Sequence, residues 1–207
     1  MPELSNIQTY EKINGLNFKP TLERFSKVLR NINLWNEAIE DAFKKFEWKI
    51  EENGFVYFPT EHLKLTFSKI LGVEIRPLIM AYTPEIDDTF KDNWIVCEFL
   101  IEAEKLRSFE NGEFYDTTYQ LVKFLTLEMQ KEFKQTGVYF TDEAQDGKDF
   151  DGIRNNDFAR LWQFDYALIP FELESFYISK PENFGMKKGK NGFELWNMDR
   201  WKEMPSH

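Results

Sequence analysis

The chain has 207 residues and a formal charge of −10, with 26 Lys and Arg against 36 Asp and Glu, and this acid excess argues against binding a phosphate backbone, which is held largely by basic side chains. Its residues are 42% hydrophobic and 17% aromatic, including 21 Phe and 6 Trp, which excludes a disordered polymer and suits one buried core, a single domain spanning 1–207. No run reaches the roughly twenty apolar residues of a membrane helix, and the first residues, Met-Pro-Glu-Leu-Ser-Asn, lack the basic and apolar regions of a secretory leader, so a cytoplasmic protein without membrane partners is expected.

In chain order, residues 1–20 lack a clear period and contain Asn14-Gly15 and Pro20, which reads as an irregular arm. Thr21 is the expected cap of a first helix, with Leu22, Phe25, Val28, Leu29 and Ile32 on one face. A second helix is expected from Leu34 to Phe46, where Ile39, Ala42 and Phe43 lie opposite Glu40, Asp41, Lys44 and Lys45. Phe55 to Phe58 suits a strand, and Pro59-Thr60 opens a helix that Gly72 would end.

Residues 73–83 and 93–101 read as a strand pair around the acidic loop 84–92. The strongest element begins near Asp116 and carries Leu121, Val122, Leu125, Met129 and Phe133, with Phe124 and Leu127 widening the stripe. A helix so apolar should lie beneath other elements, which predicts a central buried helix near 116–136. Val138 to Phe140 is a further strand, 160–169 fits either a strand or a buried helix, and Lys187 to Gly192 is the turn of a last hairpin. The predicted fold is α+β, a mixed or mostly antiparallel sheet of about 4–6 strands against about 4–5 helices, with an N-terminal helical pair.

Chemical motifs are sparse. Cys97, the sole cysteine, sits in the apolar run Trp94 to Ile101 and reads as a buried structural thiol. His62 and His207 are the only histidines, no nucleophile elbow occurs, and no phosphate loop supports a nucleotide cofactor. Asp142, Glu143, Asp146, Asp149 and Asp151 crowd one loop, and oxygen-rich loops bind hard cations. The spacing is not that of an EF-hand, because setting Asp149, Asp151 and Gly152 at positions three, five and six leaves Gly147 first and Phe158 twelfth. A solvated acidic turn explains the same residues. Asp142, Glu143 and Asp165 are also candidates for an acid–base carboxylate pair.

Two functional readings follow. The first is a non-enzymatic interaction protein of the immunity or inhibitor type, without cofactor, whose loops 85–92 and 141–157 meet a basic protein. Its contact residues would be Asp87, Asp88, Asp92, Asp142 and Glu143, with Trp196 and Trp201 as exposed aromatic anchors. The alternative is a divalent-metal enzyme or metal-binding domain using Asp142, Asp146, Asp149 and Asp151.

Overall fold

The computed structural model describes residues 3–58, 69–70, 72–86, 91–142, 152–153 and 157–201. The strands are β1 (Leu4–Ile13), β2 (Phe55–Tyr57), β3 (Lys69–Ile70), β4 (Val73–Glu74), β5 (Arg76–Tyr82), β6 (Asn93–Glu102), β7 (Val138–Thr141), β8 (Tyr166–Ile169), β9 (Phe184–Lys188) and β10 (Phe193–Asn197). Eight of them form one sheet in the order β2-β5-β6-β1-β7-β8-β10-β9, and β3 and β4 form a separate ribbon. Every neighbouring pair is antiparallel. The helices among the described residues are α1 (Lys19–Asn31), α2 (Glu37–Lys45) and α3 (Asp116–Glu132), with 3-10 helices at Ala103–Lys105 and Phe171–Phe176.

The α+β class holds, but the sheet is wider than expected. The largest correction is at the N-terminus, where the supposed arm is the ten-residue strand β1, paired with β6 on one side and β7 on the other. Its polarity hid it, since Ser5, Asn6, Gln8 and Thr9 are all fully buried. Each has a partner, as buried polar groups must. The Ser5 hydroxyl donates to the Asp142 carbonyl at 2.5 Å, the Asn6 amide to Gln8 Oε1 at 2.9 Å and the Thr9 hydroxyl to the Gly137 carbonyl at 3.0 Å.

The sheet is buried on both faces, which explains the continuous apolar run in β6. On one face Ile7, Ile95, Phe99 and Phe140 pack beneath Phe25 and Leu29 of α1 and Leu121, Val122 and Leu125 of α3. On the other, Tyr10, Val96, Tyr139, Ala167 and Leu195 meet Leu161 and Phe164, which precede β8, and Leu173 and Tyr177, which follow it. Side chains alternating across the pleat feed the two layers in turn.

Several boundaries move for identifiable reasons. Helix α1 starts at Lys19 with Pro20 in its first turn, where a missing backbone N–H is harmless, and Thr21 lies inside the helix, its hydroxyl donating to Glu11 at 2.7 Å. Helix α2 starts only after Asn36, whose side chain accepts from the Ile39 amide at 3.0 Å. Helix α3 lies where expected but is not covered all round. Its stripe of Leu121, Val122, Leu125 and Met129 is buried, while Phe124 and Leu127 are exposed. The helix expected from Pro59 falls largely outside the described residues, and Gly72, at φ +84°, turns β3 into β4 instead of ending it. Of 160–169, only Tyr166–Ile169 is strand. The pairs β5 with β6 and β9 with β10 form as predicted.

Candidate functional site at the acidic end of the sheet

Antiparallel pairing brings the start of β1, β8 and β9 and the finish of β6, β7 and β10 to one end of the sheet. The connection from β6 to α3 forms a tight loop there. Arg107 bridges to Phe114, the Ser108 amide donates to the Glu113 carbonyl at 2.9 Å, and Gly112 takes φ +69°. The Thr118 hydroxyl of α3 donates back to the Leu106 carbonyl at 2.6 Å. On this frame Phe109 is 64% exposed and Tyr115 45% exposed. Exposed carboxylates Glu110, Glu113 and Asp116 share this loop and the first turn of α3 with them, and Glu3, Glu104 and Asp199 are exposed elsewhere at this end of the sheet.

Beneath the loop lies a buried charge cluster centred on Asp142, which is 6% exposed. Arg107 Nε approaches its carboxylate at 2.7 Å, and Arg200 donates to the same oxygen. The Asp142 amide donates to Asp165 Oδ2 at 2.8 Å, Arg200 Nε lies 3.6 Å from Asp165 Oδ1, and Arg107 also reaches Glu3 at 2.8 Å. Trp201 completes the lock: its indole N–H donates to the Asp165 carbonyl at 2.8 Å, and its ring stacks on Phe114 with centroids 4.3 Å apart. The Arg200 guanidinium lies over Phe114 at 4.9 Å. The cluster thus ties the start of β1, the loop after β6, the end of β7 and the residues after β10 into one unit, and a carboxylate with two buried or half-buried guanidiniums is costly to unpair.

These positions revise the predicted contact residues. Trp201 is 6% exposed and belongs to the core, so it is not a surface anchor. Asp142 is a buried brace whose charge is already met by two arginines. Asp165 shares Arg200 with it. Trp196 is partly buried, lying so close over Gly185 that a Cβ there would sit 2.1 Å from the indole ring. Asp92 pairs with Lys12 at 2.5 Å at the opposite end of the sheet, about 30 Å away along the nine steps of β6. Asp87, Asp88, Glu143, Asp146, Asp149 and Asp151 lie outside the described residues, and among the described residues no group of three or more His, Cys, Asp or Glu side chains could hold a metal ion.

Burial, reinforced by Glu11 and Glu98, holds the Cys97 thiol well above its ordinary value, so it is no ready nucleophile. A second polar cluster escaped the sequence reading. Glu194 Oε1 accepts from Tyr119 at 2.9 Å and Tyr166 at 2.8 Å and lies 3.2 Å from Lys123 Nζ. Burial and the adjoining carboxylate push both phenols up. Burial also raises Glu194, but the two phenols and Lys123 outweigh it and hold the carboxyl below its ordinary range. Nothing in sequence spacing signals this cluster or the Arg107 and Arg200 pairing, because their members come together only through the sheet. No described helix is long and apolar enough to cross a membrane. No protein-family model matches the chain, and neither the curated proteins nor the solved structures include one with significant similarity to it.

Proposed function

We propose that this chain is a non-enzymatic interaction protein, of the immunity or inhibitor type, that binds a basic protein through the acidic end of its sheet. One observation carries the reading: Phe109 and Tyr115 stand exposed on one segment with the exposed carboxylates Glu110, Glu113 and Asp116, on a loop braced by the Asp142 cluster. Exposed aromatics are the usual anchors of protein interfaces, and a rigid support lowers the ordering cost of docking them. The surrounding carboxylates steer a positively charged surface toward them. Binding would act by covering the partner's own site.

The test is capture from extracts of cells that make the chain, with the wild type and with a Phe109→Ala, Tyr115→Ala double variant. The reading expects a basic protein on the wild type alone, with an association rate that falls as salt rises. Equal capture by both proteins, or association insensitive to salt, would overturn it.

A further inference from the structure

Four asparagines in the chain are followed directly by glycine: Asn14, Asn53, Asn111 and Asn191. Asparagine is among the chemically labile residues, and this step rearranges without an enzyme. The glycine amide nitrogen, unshielded because its residue has no Cβ, attacks the side-chain carbonyl carbon. Its proton departs with the amide nitrogen as ammonia, and a cyclic imide closes. Water then opens the ring at either carbonyl, leaving an aspartate or, with the main chain rerouted through the side chain, an isoaspartate. The reaction needs an unbonded side-chain amide, an unbonded glycine N–H and room for the peptide between them to turn, all of which a fold can grant or withhold.

At three of these steps the structure withholds them. The Asn53 amide donates to the Tyr57 hydroxyl at 3.2 Å, its oxygen accepts from the Phe55 amide at 3.1 Å, and the Gly54 N–H donates to the Glu51 carbonyl at 2.9 Å. Asn111 donates to Glu113 at 2.9 Å and accepts from the Glu113 amide at 3.0 Å, while the Gly112 N–H donates to the Ser108 carbonyl at 2.9 Å. Asn191 is exposed, but Gly192 is buried against the Ile169 carbonyl, where a Cβ would stand 2.1 Å from the oxygen, so that peptide has no room to turn.

Asn14 and Gly15 are both exposed in the turn between β1 and α1. Among the described residues neither the Asn14 side chain nor the Gly15 N–H has a hydrogen-bond partner, and nothing lies within 4 Å of the place a Gly15 Cβ would take. Two bonds hold the turn, from the Asn17 amide to the Asn14 carbonyl at 3.0 Å and from Asn93 Nδ2 to the Gly15 carbonyl at 2.8 Å, and neither engages a reacting group.

We propose that Asn14 is a site of spontaneous modification in the folded chain, converting through an imide with Gly15 to aspartate and isoaspartate. The change adds a negative charge. In the isoaspartyl product it also lengthens the main chain by a methylene, which draws the Gly15 carbonyl off Asn93 where β6 begins. It alters the Asp92 end of the sheet and leaves the acidic end intact.

The test incubates the full chain in mildly alkaline buffer, follows the mass gain of amide to acid in its peptides and separates the isoaspartyl form by chromatography. Each hydrogen bond that must open slows the reaction about fivefold, so Asn14 should react about tenfold or more faster than Asn53 and Asn111. A faster reaction at any of the other three asparagines, or no reaction at Asn14, would overturn the proposal. In denaturant, where all the steps lie in unfolded chain, the rates should converge to within about threefold. An order that survives there means that local sequence selects Asn14 and the fold does not, which also overturns it. Gly15→Ala, at an exposed position with open space around it, should stay folded and slow the Asn14 reaction about tenfold by shielding the attacking nitrogen, with Asn191 unchanged. An undiminished rate at Asn14 in that variant would sink the imide route.

Discussion

The two ends of the sheet use aspartate in opposite ways. At the acidic end Asp142 is buried between Arg107 and Arg200 and holds four chain segments together. At the other end Asp92 sits in the open, paired with Lys12 at 2.5 Å. The glycines differ in the same sense but with the ends exchanged. Gly112, in the acidic loop, has φ +69° and open space around it, whereas Gly54, beside the β5–β6 connection, has φ +81° and would place a Cβ 2.6 Å from the Ile86 amide nitrogen. One end is therefore fixed by charge beneath an open loop and the other by close backbone contact. A loop that must meet another molecule needs free surface outside and stiffness below, and among the described residues the acidic end combines them.

Five variants would break or sharpen that contrast. Asp142→Ala leaves Arg107 and Arg200 facing each other without a counter-charge and should cost about 3–5 kcal/mol of stability in denaturant titration. Asp92→Ala, which removes an exposed pair, should cost under about 1 kcal/mol; equal losses would abolish the distinction between the ends. Gly54→Ala combines a left-handed backbone with a backbone clash and should cost more than about 3 kcal/mol. Gly112→Ala meets only the conformational penalty, about 1 kcal/mol. Smallest in stability, Phe109→Ala with Tyr115→Ala should shift the folding free energy by less than about 1 kcal/mol while removing partner capture, since both side chains are exposed. A large loss of stability would make them core residues and remove the proposed anchors.

The Glu194 cluster adds a pH-dependent prediction away from both ends. Its folded carboxyl lies below the ordinary range, so the stability it contributes is present above the unfolded carboxylate pKa and is lost as pH falls through the lowered folded value. The raised Tyr119 and Tyr166 phenols contribute stability that is present below the unfolded phenol pKa, near 10, and is lost as pH rises beyond it. Ultraviolet titration of the folded chain should show these two phenols ionising later than free tyrosine. Glu194→Gln should flatten the acid limb of the stability curve; an unchanged acid limb would show that the carboxyl is unperturbed.

The sequence was most legible where one periodicity dominated. The stripe from Leu121 to Met129 locates α3, and alternating or continuous apolar runs locate β5, β6, β7 and the β9–β10 hairpin. It was least legible in β1, where Ser5, Asn6, Gln8 and Thr9 mimic a solvated arm and are nonetheless buried. Their partners, Asp142, Glu98 and Gly137, lie far away in the chain, so local composition could not reveal that their polarity is satisfied. The candidate surface is only half visible in the sequence: the carboxylate excess can be counted, but no local pattern marks Phe109 and Tyr115, and the polar neighbours of Trp201 hide that its ring is buried beneath that surface.

The sequence by itself determined that the chain folds, that it mixes helix with strand, and that its net charge is strongly negative, because these depend on composition and on spacing within single elements. Only the tertiary structure decided which end of the sheet each carboxylate occupies and which are spent on buried arginines. Those properties arise from pairing between strands distant in the chain, and strand register, which no local pattern encodes, decides which charges meet.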